Sequence, residues 1–149
     1  MEIYEKLALK GSLKPDISRR VTFDMRPVAL DPTAIKSSEV LYTVYRNLGI
    51  INGKIRYDIA VISPKKIGRE FAKTFGHYHE GSLPELYEVL EGQAYFLLQK
   101  PSSPAGRPEN TPEEIQEAYV VEAEKGEKAI MPPGFGHLSI NIGRNDLVL

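Results

Sequence analysis

The chain has 149 residues, and its 19 Lys and Arg stand against 20 Asp and Glu for a formal charge of −1. That length suits one domain with a core of its own, and that balance provides no field to draw nucleic acid or an anionic membrane from a distance. Cysteine is absent, which excludes disulfides, thiolate metal sites and a cysteine nucleophile. No apolar run approaches membrane-spanning length and the N-terminus has no signal-peptide core, so the chain reads as a soluble cytoplasmic protein whose partner is a small molecule.

Residues 1–38 read as an N-terminal extension, in which RRVTFDMRPVAL suits an added edge strand and DPTAIKSSEV the start of a short helix. Residues 39–149 read as the body of a single domain. EVLYTVYRN (Glu39 to Asn47) and KIRYDIAVIS (Lys54 to Ser63) are rich in Tyr, Val and Ile and are joined by LGIING, the pattern of a hairpin. Strands are expected next at GREFAKTFGHYH (68–79), ELYEVLE (85–91) and QAYFLLQ (93–99), with Gly92 as the turn between the last two. AYVVEAEKGEKAIMPPGFGHLSINIG (118–143) then runs strand, turn, strand, turn, strand, punctuated by Gly126, Pro132, Pro133, Gly134 and Gly143. Short strands at such even spacing indicate an all-β antiparallel sandwich or small barrel.

One segment departs from this rhythm. KPSSPAGRPENTPEEIQE (100–117) holds four of the eleven prolines and reads as a surface excursion from the sheet, with a helical turn at TPEEIQ that Thr111 would cap and Pro112 would open. A lid or a dimer contact is the other reading.

Two of the three histidines stand in TFGHYHEGSLPELYEVLEG (74–92). Side chains alternate along a strand, so His77 and His79 face one way and Tyr78 the other. Glu85 opens the next strand after a connection long enough to return its carboxylate to the imidazoles. His137 follows PPGFG at the start of another strand. Three imidazoles and one carboxylate suit a divalent first-row metal with positions left open for water or substrate. Tyr87 shares a strand face with Glu85 and either joins this cavity or fills the barrel. Thr74, with the Gly76 N–H, suits a phosphate oxygen or serves simply as a strand former. Lys73 and Arg69 add positive charge nearby without an assignable role.

These segments resemble the two signatures of the cupins, double-stranded β-helix barrels of jelly-roll type. HYHEGSLPELYEVLEG carries His77, His79, Glu85 and Gly92, and GEKAIMPPGFGHLSIN carries Gly126, Pro132, Gly134, His137 and Asn141. Phe71 stands where many cupins open the first signature with glycine. More narrowly, GREFAKTFGHYH, ELYEVLEGQAYFLLQ and MPPGFGHLSINIG are similar to the metal-dependent phosphoglucose isomerases of cupin type found largely in archaea, over roughly residues 39–149. The resemblance implies a cytoplasmic homodimer that interconverts glucose 6-phosphate and fructose 6-phosphate in glycolysis and gluconeogenesis. It also implies one divalent metal, Fe(II) foremost, with Ni(II), Mn(II) and Zn(II) as alternatives, held by His77, His79, Glu85 and His137. Thr74 and Gly76 would bind the substrate's phosphate and hydroxyls, and Tyr42 and Tyr87 would hydrogen-bond the sugar. Glu85 would be the base that moves a proton between C2 and C1; in the alternative, a hydride shift, it would move only hydroxyl protons.

Two departures qualify the likeness. Ala60 stands where the family has a threonine near the phosphate, and the chain stops at DLVL where family members continue through a further strand, which implies a fragment or a more open site. A cupin Fe(II) dioxygenase would use the same donors with an apolar cavity, and a non-catalytic phosphosugar-binding cupin would bind without turnover.

Overall fold

The computed structural model describes residues 15–78, 83–102 and 114–149. Among them the strands are β1 (Asp16–Val21), β2 (Val40–Ile51), β3 (Ile55–Ile62), β4 (Lys66–Ile67), β5 (Glu70–Phe71), β6 (His77–Tyr78), β7 (Glu85–Glu88), β8 (Gln93–Pro101), β9 (Ile115–Glu124), β10 (Lys128–Met131), β11 (Gly136–Asn141) and β12 (Leu147–Val148). Short 3-10 helices run over Thr22–Val28 and Pro32–Ala34. One sheet has the order β1-β2-β3-β12 and a second the order β6-β11-β8-β9, while β7 pairs with β10 and β4 with β5. Every named pairing is antiparallel. This is the all-β jelly roll expected of a cupin.

Alternation builds the core. Along β8, Ala94, Phe96 and Leu98 are buried while Gln93, Tyr95 and Leu97 are less so, the period of two that a sheet with one face on a core requires. Phe96, Met25, Leu41, Ile62 and Leu147 are wholly buried in the same cluster, with Tyr42, Val89 and Met131 packed among them. Burial of each large apolar side chain contributes roughly 1.5–3 kcal/mol. A second, smaller cluster of Leu48, Ile59 and Val148, flanked by Tyr45, Tyr57, Val61 and Leu90, packs on the opposite face of the first sheet.

The expected hairpin is β2–β3, turned at Asn52 and Gly53, both with positive φ of 52° and 68°, as an Asn-Gly turn demands. β2 runs further than the sequence suggests, through an irregularity where Asn47 adopts φ 60° and donates its N–H to Asp58 at 2.9 Å.

Elsewhere the structure corrects the expectations. GREFAKTFGHYH is not one strand: it is broken into β5, a single bridge at Lys73 and β6. Gly68 and Gly76 hold φ of 59° and 81°, which interrupts an extended chain. Gly92 (φ 91°) is not a hairpin turn, because β7 pairs with β10 whereas β8 pairs with β9 and β11, so the chain crosses between sheets there. A Cβ at Gly92 would lie 3.1 Å from the Asp146 carbonyl, so both conformation and space call for glycine.

RRVTFDMRPVAL gives the edge strand only as far as Val21. Its continuation coils into a 3-10 helix, where Asp24 accepts from the Val21 N–H at 3.0 Å, Pro27 offers no N–H to a sheet, and Met25 enters the core. The short helix of DPTAIKSSEV is present at Pro32–Ala34, capped by Asp31 accepting from Thr33 N–H.

At TPEEIQ, Thr111 and Pro112 lie outside the described residues, but Ile115 and Gln116 belong to β9 rather than to a helical turn, with Ile115 opposite Pro101. The strand end offered by β8 overrides the local helical signal. The excursion from the sheet is accordingly shorter than 100–117, since Lys100 faces Glu117 and pairs with it at 3.0 Å.

Candidate metal and sugar site

The site is assembled on β11. Its inward side chains, His137, Ser139 and Asn141, are polar and only 4, 2 and 1% exposed. Asn141 is fully employed in holding the fold: its amide donates to the Ile62 and Asn145 carbonyls at 2.8 and 2.9 Å, and its Oδ1 accepts from Gly143 N–H at 2.9 Å. The asparagine of the second signature is thus a fastener between the sheets.

His137 is the hub. It stands directly opposite His77 on β6, and facing residues of an antiparallel pair share a side of the sheet. Their rings lie 4.9 Å apart at 56°. From the β7–β10 pair, Glu85 brings Oε2 to 3.3 Å from His137 Nε2. Tyr87, on the same side of β7 as Glu85, brings its hydroxyl to 3.5 Å from that nitrogen, its ring resting on Phe96 at 5.4 Å. Burial, reinforced by the neighbouring Glu85 carboxylate, raises the Tyr87 hydroxyl far above the usual phenol range, so it stays protonated and donates.

Of the four expected metal donors, three are thereby brought together as two pairs sharing His137, and the fourth, His79, lies outside the described residues. Among the described residues no group of three or more His, Cys, Asp or Glu is by itself a metal-holding cluster. The donors present, imidazole nitrogen and carboxylate oxygen, are of the type that Fe(II), Ni(II), Mn(II) and Zn(II) accept, so in chemical character they fit such an ion.

The expected sugar-binding residues form a second group beside this one. Thr74 is bound to β11 through both its backbone N–H, which donates to the Ser139 carbonyl at 2.9 Å, and its hydroxyl oxygen, which accepts from Ser139 N–H at 3.0 Å. Its O–H hydrogen is still available to donate. Gly76 approaches β11 so closely that a Cβ would meet Leu138 Cβ at 3.4 Å and the His137 carbonyl at 3.5 Å. Between them, Phe75 N–H donates to the Tyr42 hydroxyl at 3.4 Å, which brings Tyr42 of β2 against the Thr74–Gly76 stretch. Ala60 lies on the same side of the first sheet, packed on the main core, one row from Tyr42. Lys73 points away from any such role: it donates to the Val28 carbonyl at 2.9 Å and pairs with Glu70 at 2.5 Å, tying the extension to the barrel.

One residue beside the site escapes a reading by motif alone. Gly136 faces Tyr78 across β11–β6, and a Cβ there would come within 2.6 Å of the Tyr78 ring. The only signal was the second glycine of GFGH, which looks like part of a loop.

An antiparallel jelly roll that brings a second imidazole and a carboxylate to an inward-facing histidine has the character of a cupin barrel. In comparisons with known proteins, the family model described as glucose-6-phosphate isomerase (GPI) matches residues 19–149, and the chain belongs to that family, in its cupin-type branch. A glucose-6-phosphate isomerase of Thermococcus gammatolerans is 29% identical over 151 residues, covering 96% of this chain and 73% of the relative. That of Thermococcus litoralis is 32% identical over 127 residues, covering 80% of this chain and 60% of the relative. The Drosophila melanogaster CENP-C cupin domain superposes with a TM-score of 0.46 at 12% identity, over 72% of this chain and 63% of that one.

Proposed function

We propose that this chain is a metal-dependent aldose–ketose isomerase that interconverts glucose 6-phosphate and fructose 6-phosphate, acting in the cytoplasm as a homodimer. The observation that carries the reading is the family match over residues 19–149 together with the meeting of Glu85, Tyr87 and His77 at His137. His77, His79, Glu85 and His137 would hold the ion, with Fe(II) foremost and Ni(II), Mn(II) or Zn(II) as alternatives. Once bound, it would supply Lewis acidity that polarises the carbonyl of the open-chain sugar.

The chain's own groups do the rest. Glu85 Oε2 would accept the proton from C2 and return it at C1 while the proton of the C2 hydroxyl passes to O1, the two transfers that together turn an aldose into a ketose by way of an enediol. The Tyr87 hydroxyl, kept protonated by its burial and by Glu85, donates to a sugar oxygen. Thr74 O–H and the Gly76 N–H receive phosphate oxygens, and Tyr42 holds the segment that bears them.

The test is a coupled assay with fructose 6-phosphate on metal-stripped protein reconstituted in turn with Fe(II), Ni(II), Mn(II) and Zn(II), with His137→Ala as control. Glucose 6-phosphate formation that requires metal and vanishes in the variant supports the isomerase. Metal binding without turnover under any of the four ions would overturn it and leave a sugar-binding or oxygen-using cupin, which phosphosugar binding and oxygen uptake would separate.

A further inference from the structure

We infer that Arg20, on the edge strand contributed by the N-terminal extension, is the cation that binds the substrate's phosphate; this rests on the isomerase reading above. Arg20 stands directly opposite Tyr42 in the β1–β2 ladder, so the two side chains leave the same face of the sheet. Tyr42 and its further neighbour Ile62 are buried in the main core, so that face turns toward the barrel, with Arg20 exposed at its rim on the edge strand. The Arg20 guanidinium lies 5.7 Å from the centre of the Phe75 ring, and Phe75 is the residue between Thr74 and Gly76 whose N–H meets the Tyr42 hydroxyl. Arg20, Tyr42 and the 74–76 stretch therefore form one continuous patch.

The electrostatics of that patch point the same way. The hydroxyl of Thr74 and the N–H of Gly76 are neutral donors, and Ala60 brings none, whereas a phosphate dianion calls for a formal positive charge nearby. Lys73 is spent on Glu70 and the Val28 carbonyl, Arg56 on Asp58 at 2.9 Å, and Arg46 donates to Ser18 at 2.5 Å. Arg20 makes no ion pair with any described residue; its guanidinium rests against the Phe75 ring, which holds the planar group without using its hydrogens. Five N–H donors in a fixed fork thus remain for a ligand. The extension, β1 in particular, supplies the charge that the barrel's own strands lack at this place.

The experiment measures binding rather than turnover. Dissociation constants for fructose 6-phosphate, inorganic phosphate and fructose are determined by calorimetry at two salt concentrations for the wild type, Arg20→Met and Arg20→Lys, with thermal melting as a check on folding. Arg20→Met keeps an apolar stem over Phe75 and removes the charge, and Arg20→Lys keeps the charge and loses the fork.

Arg20→Met should weaken fructose 6-phosphate and phosphate by about tenfold or more, as loss of a charge-assisted pair does. It should leave fructose unchanged and flatten the salt dependence, with Arg20→Lys falling between it and the wild type. Equal fructose 6-phosphate affinity in the wild type and both variants overturns the role of Arg20 and leaves the isomerase reading standing. A wild type that binds no phosphosugar overturns both. If Arg20→Met does not fold, Arg20→Lys decides alone, and an unchanged affinity there counts against the fork.

Discussion

Gly136→Ala tests how the site's two histidine strands are held together. The added methyl would meet Cε1, Cζ and Cδ1 of Tyr78 at 2.6, 2.7 and 2.9 Å. To restore ordinary carbon contact at about 3.5–4.0 Å the ring must retreat by roughly 1 Å. Its hydroxyl accepts from the Gln99 amide at 2.7 Å, a bond worth about 0.5–1.5 kcal/mol that does not survive that displacement unstrained. Overpacking of this kind costs about 1–3 kcal/mol, so the two effects together amount to about 1.5–4.5 kcal/mol.

Urea denaturation with an unchanged m value reads the loss directly. In a Tyr78→Ala background the methyl has room, and Gly136→Ala should then cost less than about 1 kcal/mol, the difference being the coupling between the two sites. A cost below about 0.5 kcal/mol in the wild-type background, or an equal cost in both backgrounds, would refute the steric account.

Other expectations follow from the same structure. Asn141→Ala removes three hydrogen bonds from a residue 1% exposed and should cost about 3 kcal/mol or more in denaturant, given about 1–3 kcal/mol for each buried group left unsatisfied. The Tyr87 hydroxyl is raised above the ordinary phenol range, by burial first and by Glu85 second. Its contribution is therefore complete below about pH 10 and is lost as the pH climbs toward the folded value, because only the unfolded phenol ionises in between. Tyr87→Phe should abolish an alkaline loss of up to about 1.4 kcal/mol per pH unit, seen as a shallower fall of denaturation midpoint in the variant; parallel profiles would contradict it. Addition of Fe(II) or Ni(II) to metal-free protein at a hundredfold excess over its dissociation constant should stabilise by about 2.7 kcal/mol, and a His77→Ala/His137→Ala double variant should show no such shift in melting.

The parts of the molecule legible from sequence were those governed by local rules. Alternation disclosed β2, β3, β8 and β11, and the Asn52–Gly53 pair disclosed its turn, because period and turn chemistry act between neighbours. The meeting of His77 and Glu85 at His137 follows for a related reason: strand alternation and short connections limit where side chains can point, and His137 follows a constrained turn.

What sequence did not disclose depended on contacts between distant segments. Ile115 and Gln116 became strand because Pro101 was there to pair with them, and Gly92 became a crossing between sheets because β10 and β11 claimed its two neighbours separately. Thr74 looks like a phosphate ligand or a strand former, and its bonds to Ser139 show it tied to β11 with one hydrogen to spare. Arg20 was invisible as a site residue, since only the register of β1 on β2 puts it opposite Tyr42.

The hub at His137 draws its neighbours from β6 and β7, strands that pair with different, sequence-distant partners, and Tyr87 reaches it across fifty positions of chain. The 74–87 segment carries most of these residues, but His137 comes from fifty positions beyond Tyr87, so an ion held between them would also hold the closure of that long loop, whose entropic cost grows only slowly with length. Ligand affinity and global unfolding become two readings of one equilibrium. Hydrogen exchange should accordingly slow on metal addition at amides of both sheets, far beyond those next to the ion, with β9 at the outer edge responding least.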